Sequence, residues 1–314
     1  MAKKDEIGAL LPEGIRQKME PLLNQLEDIN EIRMGVNRPC RVIRNGKEYF
    51  LSGAGTCLPD PEGAFRITAE EMEQMVNQIC EYSLYAYENE LRQGFLTVQG
   101  GHRIGFAGKV ILNTDGSIRN LSYIRFLNIR ISHEIQGVAD PVMSELFERG
   151  ELLNTLIVSP PGGGKTTLLR DLIRQVSDGT KSRRGLQVSV VDERSEIAGS
   201  YQGIPQNHVG IRTDVLDACP KKEGMMLLMR SMTPRVIAVD EIGSEEDLSA
   251  LLKIAVSGTG VLATMHGDSM QDAMDKLSGC RRLFQRFLIL SCFNGRRRVK
   301  IYEQNGHLRR EVEM

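Results

Sequence analysis

The sequence predicts an α/β protein: an open α/β sheet core set behind a smaller α+β domain. Three observations carry that prediction. Residues 156–158, 187–192, 235–240 and 260–266 are short apolar runs that stop at polar residues, and helical stretches at 166–176, 225–232, 246–256 and 269–277 alternate with them. The first run breaks into a proline- and glycine-rich loop before its helix. Residues 1–137, by contrast, carry hairpin signals, and a Gly/Pro-marked break at 137–141 separates them from residues 138–314.

The loop reads Ser159, Pro160, Pro161, Gly162, Gly163, Gly164, Lys165, Thr166, Thr167. A strand, a glycine loop, Lys-Thr and a helix make a phosphate-binding loop. Glycines let backbone N–H groups approach phosphate oxygens, and the helix N-terminus adds its dipole to the same anion site. Lys165 is placed to reach β- and γ-phosphate oxygens, and the Thr166 hydroxyl to ligate Mg²⁺, so ATP and Mg²⁺ are the expected ligands. The usual pattern opens with Gly where this chain has Ser159.

The whole chain bounds what that site can belong to. Its 314 residues suffice for two cores, and 40 basic against 41 acidic side chains give no global field for polyanions. No apolar run approaches the ~18 residues of a membrane span, and the first residues show no secretory signal. The six cysteines are scattered without a Cys-x-x-Cys pair, which suits reduced thiols in a cytosol.

In the N-terminal domain residues 29–34 and 41–51 read as strands, the second turning at Asn45-Gly46. Thr68 and Glu71 form a capping box ahead of a helix whose Met72, Met75, Val76, Ile79 and Cys80 share a core-facing stripe. Residues 93–112 read as a hairpin around Gly100-Gly101, residues 124–131 as a strand, and residues 141–149 as a helix leading into the loop strand. Arg33, Arg103 and Arg130 sit in or beside strands, where a solvated charge is the default.

In the second half the run 187–192 ends in a carboxylate cluster with one arginine, Asp192, Glu193, Arg194 and Glu196, placed where an open α/β sheet binds ligands. The run 235–240 ends in Asp240-Glu241; Asp240 suits the Mg²⁺ shell and Glu241 the orientation of an attacking water. Thr264 and His266 close the last run, where either can sense a γ-phosphate. Arg212 and Arg230 lie between these acids in sequence and are candidates for a cation supplied to a neighbouring subunit's nucleotide. The tail, residues 281–314, holds nine Lys/Arg and three Glu. It reads as a basic hairpin turning at Asn294-Gly295, with Arg296, Arg297 and Arg298 available for lipid or nucleic-acid phosphates.

The ordered set of loop, Asp192–Glu196 acids, Asp240-Glu241 strand and Met265-His266-Gly267 resembles the secretion-type ATPases, ring motors of type II and type IV secretion and pili. More narrowly, residues 31–33, 103–108, 128–131, 159–166 and 190–199 resemble the stage III sporulation AA family of endospore-forming bacteria. That resemblance implies a RecA-like P-loop NTPase core assembled as a homo-hexamer with ATP at subunit interfaces. It also implies a cytoplasmic, membrane-peripheral place on the mother-cell side of the forespore membrane, docked to an integral membrane protein of a secretion-like channel. In such ATPases a Glu at the place of Glu196 often activates water, which makes it a rival to Glu241, and N-terminal-domain arginines reach the nucleotide, which raises Arg130. Many of them carry Gly where this chain has Asp240. The competing reading is a RecA-like nucleic-acid motor or single-strand-binding ATPase: the basic tail speaks for it, the near-neutral charge and absent Trp against it.

Overall fold

A computed structural model describes residues 2–181, 183–293 and 296–314. The chain divides into two compact units, Met1–His133 and Glu134–Met314.

The first unit is a seven-stranded antiparallel sheet in the order Cys57–Leu58, Lys47–Leu51, Arg41–Arg44, Ile29–Gly35, Ile118–Arg130, His102–Leu112, Phe95–Val98. Helices Lys3–Ala9, Glu13–Leu23 and Ala69–Ile79 contribute Ile7, Ile15, Met19, Met72 and Met75 to its core. The Thr68 capping box forms as the sequence predicts, the Thr68 hydroxyl accepting from Glu71 N–H at 3.1 Å and the Glu71 carboxylate accepting from Thr68 N–H at 2.9 Å. The strand expected at 124–131 is longer, because Asn113 to Ser117 makes a tight turn (Asn113 N–H to Ser117 O, 2.8 Å) from which both strands run. His102 is fully buried. Its Nδ1 accepts from Ser132 N–H at 3.0 Å and its Nε2 lies 3.2 Å from Glu6 Oε2.

The second unit is an eight-stranded sheet in the order Thr213–Asp217, Val188–Asp192, Val236–Val239, Gly260–His266, Thr155–Ser159, Arg286–Phe293, Arg296–Glu303, Leu308–Glu313. The first six are parallel and the last two antiparallel. The reason for the unbroken apolar runs is visible in the core: Ile157, Val190, Ala238 and Leu262 pack on one face, and Leu156, Val158, Val239 and Val261 on the other. Helix Lys165–Asp178 covers the first face through Leu168, Leu172 and Val176; helices Lys221–Ser231, Glu245–Val256 and Met270–Leu277 cover the second through Met225, Leu251 and Ala273. Strands buried on both faces leave only their ends for chemistry.

One expectation is corrected. The helix expected at 141–149 exists only as Asp140–Met143; Phe147–Glu148 and Glu151–Leu152 instead form a small hairpin across Arg149 and Gly150, both with positive φ (52° and 86°). The tail forms the expected pair of antiparallel strands, which continue the main sheet, with a third strand, Leu308–Glu313, at its edge. The Asn294-Gly295 turn and the Arg296 side chain lie outside the described residues. Three of the tail's basic groups pair with carboxylates within the chain: Arg309 Nε binds Glu145 at 2.6 Å, Arg310 the same carboxylate at 3.4 Å, and Arg298 lies 3.6 Å from Glu311.

The capping box gives a test of the first unit. Thr68→Ala is expected to cost about 1 kcal/mol by removing one of two reciprocal caps; denaturant unfolding followed by helix signal checks it, and an unchanged midpoint would contradict the assignment.

Candidate functional site

The strand Thr155–Ser159 delivers the loop at its carboxyl end, and helix Lys165–Asp178 leaves from it. Ser159 is fully buried and turns its hydroxyl back onto Pro160 O at 2.9 Å, so the residue that breaks the usual pattern does not intrude on the loop. It constrains the next turn instead: a Cβ at Gly163 would stand 2.7 Å from Ser159 Oγ, which only glycine avoids. Gly164 adopts φ 94° and caps the helix without a side chain, leaving its first N–H groups without a capping side chain. Pro160, Pro161 and Gly162 are exposed along the loop, and Thr166 and Thr167 are half-buried in the first helical turn.

Lys165 is 5 % exposed, and its ammonium lies 3.2 Å from Glu241 Oε1 and 3.3 Å from His266 Nδ1. An ammonium can only donate, so His266 Nδ1 accepts, and its Nε2 proton then donates to Glu241 Oε1 at 3.0 Å. Arg194 Nη1 takes the other Glu241 oxygen at 3.1 Å. Burial pushes the Glu241 carboxyl up, but the Lys165 ammonium, the His266 ring and the Arg194 guanidinium outweigh it and hold the group below the usual carboxylate range. Glu241 itself takes φ 54°, a strained backbone at the strand end.

Asp240 faces the other way. Thr166 Oγ1 donates to its Oδ2 at 2.7 Å, and Thr264 Oγ1 donates to its Oδ1. Thr264, read from the sequence as a possible phosphate sensor, is fully buried and also accepts from Glu241 N–H at 2.8 Å, so its hydroxyl fixes both acids. Burial raises the Asp240 pKa against these hydrogen bonds, with the Glu241 and Glu196 carboxylates adding to the rise. Two adjacent acids are thus driven apart, Asp240 upward and Glu241 downward.

The second acid cluster divides its labour. Asp192 is 2 % exposed and accepts from the N–H groups of Glu196, Ile197 and Ala198 at 2.8, 3.1 and 2.8 Å. Burial pushes its carboxyl up to about 6 in spite of those three bonds. Glu193 is spent on Lys221. Arg170, on the loop helix, donates to Ile197 O and Glu196 O at 2.5 Å each and so ties this turn to the phosphate loop. Sequence reading passed over Arg170, because an arginine on an amphipathic helix carries no signal of its partners. Glu196 is left half-buried, near enough to Asp240 to raise its pKa.

Within this unit, Arg212 and Arg230, named from the sequence as candidate fingers, are not brought to this cluster. Arg212 Nη1 donates to Ser177 O at 2.9 Å and Asp178 O at 3.3 Å, capping the loop helix at the end opposite Lys165. Arg230 is exposed at the end of helix Lys221–Ser231, with Nε on Met226 O at 3.1 Å. Arg130 belongs to the first unit, where it is exposed with Nε 3.9 Å from Glu31.

The residues fit a polyphosphate with Mg²⁺. The loop is a glycine cradle that a Cβ would fill, its ammonium is already buried, and Thr166 and Asp240 pair a hydroxyl with a carboxylate. Among the described residues no group of three or more His, Cys, Asp or Glu side chains could hold a metal ion.

The chain is similar in sequence or in fold to several known proteins. Stage III sporulation protein AA of Bacillus subtilis (strain 168) is 42 % identical over 310 residues, covering 97 % of this chain and 96 % of that one. The Legionella pneumophila ATPase DotB superposes with a TM-score of 0.61 at 15 % identity over 94 % of this chain and 82 % of that one. The pilus retraction motor PilT, solved with ADP, does so with 0.61 at 14 % identity over 90 % and 81 %. At such identity these two show the fold, a RecA-like P-loop core with an N-terminal domain. The family described as sporulation stage III, protein AA, matches residues 1–309, and this chain belongs to it.

Proposed function

We propose that this chain is a Mg²⁺-dependent ATPase, a ring motor of the secretion type that energises assembly of, or transport through, a secretion-like channel during endospore formation. The observation that carries it is the convergence of Lys165, Thr166, Asp240, Glu241 and His266 on one glycine cradle at the carboxyl edge of a parallel sheet. Membership of a sporulation family and a fold shared with secretion and pilus motors support the setting. Among the described residues no helix is long and apolar enough to cross a membrane, so on this reading the chain acts from the cytoplasmic mother-cell side of the forespore membrane, docked to an integral membrane protein.

In this reading Lys165 gives its ammonium to β- and γ-phosphate oxygens and releases Glu241. Thr166 and Asp240 would hold Mg²⁺, which would neutralise phosphate charge. Glu241, freed from Lys165 and kept ionised, orients the attacking water; His266 stays beside the same phosphate. Glu196, carried by the Arg170-tied turn, is the rival for the water. Among the described residues of the core, Lys165 and Arg194 both bind Glu241, and Arg194 is held on that carboxylate, so on this reading an arginine from elsewhere completes the site: Arg230 of a neighbouring copy or Arg130 of the N-terminal unit suits this better than Arg212, which is committed to the loop helix. A homo-hexamer would supply such a group at every interface. The pairing of Arg298, Arg309 and Arg310 with carboxylates removes the main support for a nucleic-acid motor.

Three outcomes follow. Lys165→Ala is expected to lose binding of a fluorescent ATP analogue; normal affinity would sink the site. Glu241→Gln is expected to keep binding and lower turnover roughly a hundredfold or more, with thermal melts confirming the fold; parent turnover there, with loss in Glu196→Gln, would move the base to Glu196. Turnover per chain should rise steeply with protein concentration through the assembly range, since a shared arginine is worth ~10³–10⁵ in rate. Flat activity from monomer to oligomer, with size followed by light scattering, would exclude a shared site.

A further inference from the structure

The C-terminal hairpin brings a second cation to the phosphate loop from the same chain. Strand Arg296–Glu303 pairs with Arg286–Phe293, which itself pairs with the loop strand. Arg297 stands opposite Cys292 at the start of that strand, and its carbonyl accepts from Met314 N–H at 3.0 Å, so its backbone is held from both sides. Its guanidinium, on an exposed residue, lies beside the last glycine of the loop: a Cβ built on Gly164 would be 3.4 Å from Nη1, 3.6 Å from Cζ and 3.9 Å from Nε.

That is a poor place for an uncompensated cation. The N-terminus of helix Lys165–Asp178 carries roughly half a positive charge, and the Lys165 ammonium is the next residue. Glu241 and its neighbours balance Lys165 on the far side of the loop. Arg298, Arg309 and Arg310 each have a carboxylate, whereas none stands within ion-pairing distance of Arg297 among the described residues. An anion in the cradle is what would relieve this clustering of positive charge.

We propose that Arg297 is a nucleotide ligand supplied in cis, binding the α- and β-phosphates; this rests on the ATP reading above. The sheet order assigns the phosphates. Strands ending at Asp240 and His266 lie on one side of the loop strand, and the Arg297 hairpin on the other. The γ-phosphate belongs to the acids, so Arg297 meets the nucleotide from the opposite flank, where ATP and ADP are alike. A planar guanidinium can donate two parallel hydrogen bonds to such oxygens. Arg297 is therefore an affinity determinant and not the cation that acts on the reacting phosphate.

The test titrates fluorescent ATP and ADP analogues, with Mg²⁺, into the full chain, Arg297→Ala and Arg297→Lys. Arg297→Ala is expected to raise Kd for both nucleotides about tenfold or more, with an unchanged melting temperature. Arg297→Lys is expected to keep part of the affinity, and it decides the matter should the Ala variant unfold. Parent affinity for both nucleotides in Arg297→Ala would overturn the proposal, as would a loss confined to ATP, which would put the guanidinium on the γ-phosphate. A parent chain that binds neither nucleotide would instead overturn the ATP reading itself.

Discussion

A buried ammonium needs a counter-charge, and the second unit is arranged around supplying one to Lys165. Stripping an ammonium of water costs several kcal/mol even after relaxation, so the loop could not present Lys165 at 5 % exposure without Glu241 and His266 against it. Those two arrive from different strands, Val236–Val239 and Gly260–His266, which must lie side by side and next to the loop strand. Parallel pairing of Ser159 with His266 and of Val158 with Met265 sets that register. The fully apolar strands, the helices on both faces and the left-handed backbone at Glu241 all serve to hold three strand ends level. On the proposed reading the counter-charge is also the switch: phosphate replaces Glu241 on Lys165, and the released carboxylate becomes available for water.

A second layer keeps the acids distinct. Thr264 sits beneath Asp240 and Glu241, donating to one side chain and accepting from the other's backbone. Arg170 and Asp192 do the same for the neighbouring turn, which they lash to the loop helix and to its own strand. None of these three groups faces the cradle, yet each fixes one that does. Asp240 stays bound to Thr166, while Glu241 stays charged among cations; one environment could not produce both.

The parts legible in the sequence are those with local rules. The capping box at Thr68, the buried runs and the loop with its Lys-Thr tail could be read because spacing alone determines them. The two N-terminal helices, Lys3–Ala9 and Glu13–Leu23, were not read from the sequence, although Ile7, Leu11, Ile15 and Met19 recur there at helical spacing. What spacing could not reveal is where long polar side chains end. Arg212 and Arg170 look alike on paper, but one caps the far end of a helix and the other anchors an acid turn. The helix expected at 141–149 failed at Arg149-Gly150, where two left-handed residues favour a hairpin. The edge strands Thr213–Asp217 and Leu308–Glu313 escape notice because, with only partial burial, they lack the apolar pattern of the central ones.

The central claim is that Lys165 exchanges Glu241 for phosphate. A crystal structure of the chain with Mg²⁺ and a non-hydrolysable ATP analogue tests it most directly. The account predicts the Lys165 ammonium on β- and γ-phosphate oxygens, the Thr166 hydroxyl and Asp240 around the metal, and the Glu241 carboxylate moved off Lys165 towards a water on the γ-phosphate. Nucleotide bound away from the loop, or bound in it with the Lys165–Glu241 contact of 3.2 Å intact, would contradict it.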